Sequence, residues 1–136
     1  MAHVLVVDDD TDIRDTLRLL LETAGHTVDE SSDGAEALET LRASTRPTVA
    51  LLDLMMPRMD GPALLRIIAN DQVLRSRHAY ILLTANKALM VPTIDSLPPD
   101  FASSLTLLHK PYESDLLLLI VDQVAQKLAT RTGAVG

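Results

Sequence analysis

Five polar residues of the sequence stand at or just after the ends of short apolar runs. Runs of this length and composition are typical of strands buried on both faces of a parallel sheet. The carboxyl ends of such strands share one edge of the sheet, and ligands bind there at the point where the strand order reverses. We therefore expect these residues to form one site. They are Asp8 and Asp9 after the first run, Asp53 after the third, Thr84 after the fourth and Lys110 after the fifth.

These residue types suit phosphoryl transfer assisted by a metal ion. Three carboxylates held together at one crevice raise each other's pKa or require a counter-ion. Oxygen ligands completed by a few waters are the set that Mg²⁺ prefers. An aspartate carboxylate in such a site can attack phosphorus and form an aspartyl-phosphate. Mg²⁺ and Lys110 would offset charge on the transferring group, and the Thr84 hydroxyl would donate to a phosphoryl oxygen.

Each of these residues also has a simpler interpretation. Residues 8 to 10 could be only a helix cap and a solvated turn, and Asp53 could merely begin a loop. The Thr84 hydroxyl could form a hydrogen bond with its own backbone, and Lys110 could be a surface lysine. The occurrence of all five at strand ends, with the elements between them in a consistent order, favours a site.

The elements that must position these residues alternate between strand and helix. The predicted strands are His3–Val7, Thr27–Glu30, Val49–Leu52, Ala79–Leu83 and Leu105–Leu108. Helical patterns fall between them, and a last helix is predicted over Glu113–Leu128. This order predicts an α/β fold: a flavodoxin-like, doubly wound, five-stranded parallel sheet in the order 2-1-3-4-5, with helices on both faces.

The stretch Ala85–Ser104 departs from this regular pattern. It contains Pro92, Pro98 and Pro99, and a continuous helix does not accept three interior prolines at that spacing. We expect at most a short helix near Asn86–Val91, followed by irregular chain. We also expect residues 1 to 128 to form one domain and residues 129 to 136 to form a flexible tail.

Composition excludes several classes of function. The 136 residues contain no cysteine, so disulfides, zinc-thiolate sites and thiol catalysis are absent. The net charge is −7 and there is no basic cluster, which argues against direct contact with nucleic acid. We find no apolar run long enough for a membrane span and no room for a signal peptide before Asp8, so we expect a cytoplasmic protein that does not enter the membrane.

The motifs that carry these residues resemble those of the receiver domain of two-component response regulators, over nearly the whole chain. The matching segments are Val4–Asp10 (VLVVDDD), Leu51–Pro57 (LLDLMMP), Met59–Gly61 (MDG), Leu82–Ala85 (LLTA) and His109–Pro111 (HKP).

The resemblance implies a phosphoacceptor switch rather than an enzyme with turnover on an external substrate. Asp53 would accept a phosphoryl group from a histidine kinase or a histidine phosphotransfer protein, with only self-phosphorylation and slow self-dephosphorylation as activities. Asp9 and Asp53 would bind Mg²⁺ directly, and Asp8 largely through water. The backbone carbonyl of Met55 would complete the metal site. Thr84 and Lys110 match the switch hydroxyl and the lysine of the family.

Two features depart from the family pattern. Leu107 stands where the family usually has Tyr or Phe, so the usual coupling of an aromatic rotamer to the threonine is missing. The family's fourth helix is replaced by the proline-containing stretch of residues 85 to 104. We expect activation to reorder this stretch and to act through the face formed by the fourth strand and the final helix, a candidate surface for a homodimer.

Three other functions compete with this hypothesis. A receiver-like interaction module that works without phosphate is disfavoured by the complete set of acidic residues with Thr84 and Lys110. A phosphatase of the haloacid dehalogenase type needs an Asp-x-Asp motif, but Leu54 and Met55 follow Asp53. A flavin-binding protein needs a loop that cradles phosphate after the first strand, where residues 8 to 10 would repel it.

Overall fold

The computed structural model describes residues 2–56 and 59–133. Five parallel strands form one sheet in the order β2-β1-β3-β4-β5. Both the fold class and the strand order predicted from the sequence are confirmed. The strands are β1 (His3–Val7), β2 (Thr27–Ser31), β3 (Val49–Asp53), β4 (Ala79–Thr84) and β5 (Thr106–His109).

Helices cover both faces of this sheet. α1 and α7 pack on one face, and α2 to α6 pack on the other. The helices are α1 (Thr11–Thr23), α2 (Gly34–Ala43), α3 (Gly61–Ala69), α4 (Gln72–Arg77), α5 (Lys87–Asp95), α6 (Pro99–Ser104) and α7 (Ser114–Thr132). Within the described ranges, no helix combines the length and apolar character needed to cross a membrane.

Two apolar clusters, one on each side of the sheet, explain why the central strands read as uninterrupted apolar runs. In β1, Val4 and Val6 face the α1 and α7 side, whereas Leu5 and Val7 face the α2 to α6 side. All four side chains are fully buried. Burying each of them contributes about 1.5–3 kcal/mol to folding, which holds the strand ends in a rigid frame.

Both ends of α1 carry residues suited to helix termini. Asp10 is the N-cap, and its carboxylate accepts hydrogen bonds from the N–H groups of Asp12 and Ile13. Gly25 follows the helix with a φ of +96°, a conformation that residues with a Cβ rarely adopt. The hydrogen bonds of the Asp10 carboxylate therefore attach the acidic turn of residues 8 to 10 to the first turn of α1.

The prediction of irregular chain after Val91 is wrong. α5 continues through Pro92 to Asp95, and α6 follows within the same stretch. Of these three prolines, only Pro92 lies in the interior of a helix. Pro98 is the N-cap of α6 and Pro99 its first residue, a position whose N–H makes no hydrogen bond within a helix. The Thr93 hydroxyl donates to the Leu89 carbonyl at 2.7 Å, adding a donor beside the interruption at Pro92.

Two further helices differ from the sequence prediction. α4 was not predicted; Asp71 caps it by accepting from the N–H groups of Val73 and Leu74. α7 extends beyond Leu128 to Thr132, so residues 129 to 132 are helical rather than part of a tail. The remainder of the predicted tail at residues 134 to 136, and Pro57 of the matched LLDLMMP segment, lie outside the described residues.

Candidate functional site

The strand register brings the five predicted site residues to one edge of the sheet. Val7 of β1 pairs with Leu52 of β3, so Asp8 follows β1 at the level of Asp53. On the other side of β3, Asp53 pairs with Leu83 of β4. Thr84, the next residue of β4, pairs with His109 of β5, and Lys110 follows directly. The order of the strands therefore converts scattered sequence positions into neighbours.

Three carboxylates cluster at the crevice between β1 and β3. One oxygen from each of Asp8, Asp9 and Asp53 lies within 4.8 Å of the other two. In residues 2–56 and 59–133, no other group of three acidic, histidine or cysteine side chains is arranged closely enough to share a metal ion. Asp8 is buried, Asp53 is partly buried and Asp9 is exposed, so the cluster opens to solvent on the Asp9 side.

Asp8 lies in an unfavourable electrostatic environment for a carboxylate. One carboxylate oxygen, Oδ1, accepts from the Asp10 N–H at 2.9 Å, but Oδ2 is buried with no hydrogen-bond donor among the described residues. Burial, with smaller contributions from the charges of Asp53 and Asp9, raises the pKa of Asp8 from 3.8 to about 6, although the Asp10 N–H and the charge of Lys110 act to lower it. A buried carboxylate oxygen without a donor, beside two other carboxylates, fits a bound cation.

Asp53 is held less tightly and remains accessible. Its Oδ1 accepts from the N–H of Met55 at 3.0 Å. Its Oδ2 lies 3.7 Å from the Nζ of Lys110, too far for a short hydrogen bond. The Asp53 side chain is 13% exposed, against 3% for Asp8, so its carboxylate is the more accessible of the two.

Lys110 and Thr84 are joined through the backbone. The Lys110 N–H donates to the Thr84 carbonyl at 2.9 Å, and this bond fixes the ends of β4 and β5 relative to each other. The Lys110 Nζ lies 3.8 Å from Asp8 and 3.7 Å from Asp53, so it faces both carboxylates without a close pair to either. The Thr84 Oγ1 is buried and accepts from the Asn86 N–H at 3.0 Å. None of the described residues accepts a hydrogen bond from the Thr84 hydroxyl.

Gly61, the first residue of α3, lies close against the end of β3. Gly61 donates its N–H to the Leu54 carbonyl at 3.2 Å. A Cβ at Gly61 would lie 2.6 Å from the Leu54 Cα and 3.0 Å from the Asp53 carbonyl, so only glycine fits there. The MDG segment of the sequence thus shapes the backbone next to Asp53.

Sequence reasoning missed two residues at this edge. Asn86 is the N-cap of α5: its carboxamide accepts from the Leu89 N–H at 3.2 Å, while its own N–H donates to Thr84. Tyr112 is half-buried, and burial raises the pKa of its hydroxyl, with smaller increases from the charges of Asp8 and Asp53. The cap preference of asparagine before a helix was a usable signal for Asn86. No pattern in the sequence indicated that Tyr112 would lie near the carboxylates.

Comparison with known proteins identifies the class that this fold and site define. The family model of the response regulator receiver domain matches residues 4–122. The chain belongs to this family. It is a receiver domain of the two-component signalling type, and receiver domains of this family interact with histidine kinases or phosphotransfer proteins.

Two curated relatives illustrate the similarity. The transcriptional regulatory protein CseB of Streptomyces avermitilis is 33% identical over 132 residues, which is 97% of this chain and 52% of CseB. The response regulator MprA of Mycobacterium ulcerans is 52% identical over 60 residues, 44% of this chain and 25% of MprA. The chain thus spans about half, or less, of the length of these relatives.

Solved structures agree with the fold. A CheY-like receiver domain protein from Methanospirillum hungatei superposes with a TM-score of 0.77 at 25% identity, covering 94% of this chain and 97% of that one. The signal receiver domain of a histidine kinase from Syntrophus aciditrophicus gives a TM-score of 0.80 at 26% identity, covering 93% and 92%.

Proposed function

We propose that this domain is a phosphoacceptor switch in which Asp53 takes a phosphoryl group from a histidine kinase or a histidine phosphotransfer protein. The observation that carries the proposal is the position of Asp53: a partly exposed carboxylate at a strand end, with two acidic neighbours and Lys110 opposite. The same evidence supports treating the domain as a protein modified by transfer, not as an enzyme with its own external substrate. As part of this proposal we assign the domain to the cytoplasm.

The transfer forms one bond and breaks one bond. A carboxylate oxygen of Asp53 attacks the phosphorus of a phosphohistidine on the donor, giving an aspartyl-phosphate. The bond between phosphorus and the imidazole nitrogen breaks, and the nitrogen keeps the electron pair and takes a proton from solvent. With acetyl phosphate as donor, acetate leaves instead.

Mg²⁺ is the proposed cofactor, held by Asp8, Asp9, Asp53 and the backbone carbonyl of Met55. When bound, it offsets negative charge on the transferring group. The donor set is all oxygen, and the buried Asp8 Oδ2 without a hydrogen-bond donor supports this assignment. Asp8 contributes largely through water, while Asp9 is exposed enough to complete the ligand set from the solvent side.

Lys110 and Thr84 act on the transferred group itself. The Lys110 ammonium lies between Asp8 and Asp53, where it can pair with a phosphoryl oxygen as charge accumulates. The Thr84 hydroxyl can donate its hydrogen to a phosphoryl oxygen, because no described residue accepts that hydrogen and the Asn86 N–H uses only the oxygen. The two residues therefore distinguish the phosphorylated state from the free state.

The response to phosphorylation is proposed to travel through Asn86 into α5 and α6. Leu107 replaces the usual aromatic residue and is 45% exposed, so it offers no buried ring to follow the threonine. In its place, Thr84 accepts from the Asn86 N–H, and Asn86 caps α5 through Leu89. Movement of Thr84 toward a phosphoryl group changes the first of these bonds and with it the start of α5, which biases the segment of residues 85 to 104.

The fourth strand, expected from the sequence to contribute to a homodimer surface, is buried between β3 and β5, so the candidate surface is instead the exposed apolar one on the edge strand β5 and on α7. Leu107, Leu116 and Leu119 are 45%, 45% and 53% exposed. A second copy of the chain is the proposed partner on this surface. Sedimentation with and without beryllofluoride tests it: Leu119→Ser should abolish an activation-dependent dimer, and Leu19→Ser, which removes an exposed leucine of α1, should not. A dimer that survives Leu119→Ser would contradict this surface.

The phosphorylation proposal is tested with acetyl phosphate and Mg²⁺, read by intact mass. We expect the wild type to gain the mass of one phosphoryl group and Asp53→Asn to gain none. Asp15→Asn, an equivalent change at an exposed position of α1, is the matched control and should label like the wild type. Circular dichroism should show that all three proteins are folded. Labelling of Asp53→Asn to the wild-type level would overturn Asp53 as the phosphoacceptor, whereas a wild type that gains no mass would leave an interaction module without phosphate as the better account.

A further inference from the structure

Two arginines of α1 converge on one glutamate of β2. Arg14 donates from Nε to Glu30 Oε1 at 3.2 Å, and Arg18 donates from Nε to Glu30 Oε2 at 2.5 Å. The three side chains link α1 to β2 beside the acidic turn of residues 8 to 10. Both arginines lie on α1 and bind Glu30, but their other hydrogen bonds differ.

Only Arg14 reaches the acidic turn. Its Nη1 donates to the backbone carbonyl of Asp8 at 2.6 Å, and its Nη2 donates to the Thr11 hydroxyl at 3.2 Å. Arg18 instead continues outward to Glu22 at 3.4 Å. Arg14 is also the more enclosed of the two, with a side chain 14% exposed against 35% for Arg18.

The carbonyl that Arg14 holds belongs to the peptide group between Asp8 and Asp9. On its other side, Asp8 donates its N–H to the Ser31 carbonyl of β2 at 3.1 Å. Both peptide groups of Asp8 are therefore fixed, one by a strand and one by a guanidinium. Rotation of the second peptide group would turn the carboxylates of Asp8 and Asp9 relative to each other.

We propose that Arg14 is a positioning residue for the metal site: it holds the peptide that joins two of the acidic ligands, and so pre-organises them for Mg²⁺. This inference rests on the proposed Mg²⁺ site. It concerns a side chain that contacts neither the ion nor the phosphoryl group. Glu30 is the anchor that directs the guanidinium fork, since it occupies Nε while Nη1 reaches Asp8.

The test compares Arg14→Lys with Arg18→Lys by titrating Mg²⁺ calorimetrically into the folded proteins. Both variants keep the charge and lose one guanidinium contact with Glu30, but only Arg14→Lys loses the bond to Asp8. We expect Arg14→Lys to weaken Mg²⁺ affinity about tenfold, the lower end of the effect of supporting residues in metal sites. Arg18→Lys should stay within about twofold of the wild type.

A second readout separates positioning from general stability. In labelling by acetyl phosphate, Arg14→Lys should need about tenfold more Mg²⁺ to reach half its maximal rate, with that maximal rate close to wild type. Loss of stability alone would lower the labelled fraction without moving the Mg²⁺ requirement. Should Arg14→Lys fail to fold, Glu30→Gln, which keeps Arg14 but weakens its anchor, should show an intermediate shift.

The outcomes are distinct. Equal Mg²⁺ affinities in Arg14→Lys and Arg18→Lys would overturn the role of Arg14 and leave the metal site standing. If Arg14→Lys does not fold, a wild-type Mg²⁺ requirement in Glu30→Gln would lead to the same conclusion. A wild-type protein that binds no Mg²⁺ would overturn the metal site itself and this inference with it.

Discussion

Asp8→Asn should stabilise the metal-free protein at neutral and alkaline pH. Asp8 is buried beside Asp53 and Asp9, and these surroundings raise its pKa from 3.8 to about 6. In the unfolded chain the same carboxyl ionises near its ordinary value. Between these two pH values the native state holds a proton that the unfolded state has released, so stability falls as the pH rises from about 4 to about 6.

The size of the effect follows from the pKa shift. Each pKa unit corresponds to about 1.4 kcal/mol, so a shift of roughly two units costs the wild type about 3 kcal/mol above pH 6. Asparagine carries no charge and avoids this cost. For a domain of this size, about 3 kcal/mol corresponds to a rise of roughly 10 °C in the midpoint of thermal unfolding.

The assay is thermal and urea unfolding followed by circular dichroism, in chelator, at pH 4 and pH 8. The advantage of Asp8→Asn over the wild type should be small at pH 4 and close to its full value at pH 8. Asp15→Asn removes the same charge from an exposed position of α1 and should show no such growth with pH. An advantage that is equal at both pH values, or that Asp15→Asn reproduces, would refute the reasoning. Saturating Mg²⁺ should narrow the gap, because it stabilises the wild type by mass action.

Three further predictions concern the remaining site residues. Asp9→Asn should weaken Mg²⁺ binding and slow labelling by acetyl phosphate, and it should raise the unfolding midpoint less than Asp8→Asn does, because Asp9 is exposed. Labelling that persists in excess chelator would contradict a metal requirement. Hydrogen exchange with beryllofluoride should change protection in residues 85 to 104 of the wild type and of Thr84→Ser, but not of Thr84→Ala; identical protection in the wild type with and without beryllofluoride would exclude the route through Asn86. Asp53→Asn should lower the pKa of Tyr112, followed by NMR of labelled tyrosine, because the Asp53 charge adds to the effect of burial; an unchanged pKa would place Tyr112 outside the field of the site.

The strand ends were predictable because two independent patterns agree there. A short apolar run stops at a polar residue in β1, β3 and β4, and parallel pairing then brings those stops to one edge. Asp8, Asp53 and Thr84 follow from this geometry without any knowledge of side-chain contacts. The fold and the convergence of these residues at one edge of the sheet were therefore accessible from the sequence.

Other features depend on information that sequence patterns do not carry. Proline count argued against helix after Val91, but Pro98 and Pro99 fall at the start of α6, and their harmless position is visible only in the structure. α4 is six residues long, too short for a helical period to stand out, and rests on the Asp71 cap. The bond from Arg14 to the Asp8 carbonyl involves a backbone acceptor, for which no residue type is a signal.

The most direct test of the account is to locate the phosphoryl group chemically. The wild type is treated with acetyl phosphate and Mg²⁺, then reduced with borohydride, which converts an aspartyl-phosphate to homoserine, and the peptides are sequenced by mass spectrometry. We predict homoserine at position 53 and at no other aspartate, and none when Mg²⁺ is removed by chelator. Homoserine at Asp8 or Asp9 instead, or its absence from position 53 under full labelling, would contradict the assignment of Asp53 as the phosphoacceptor.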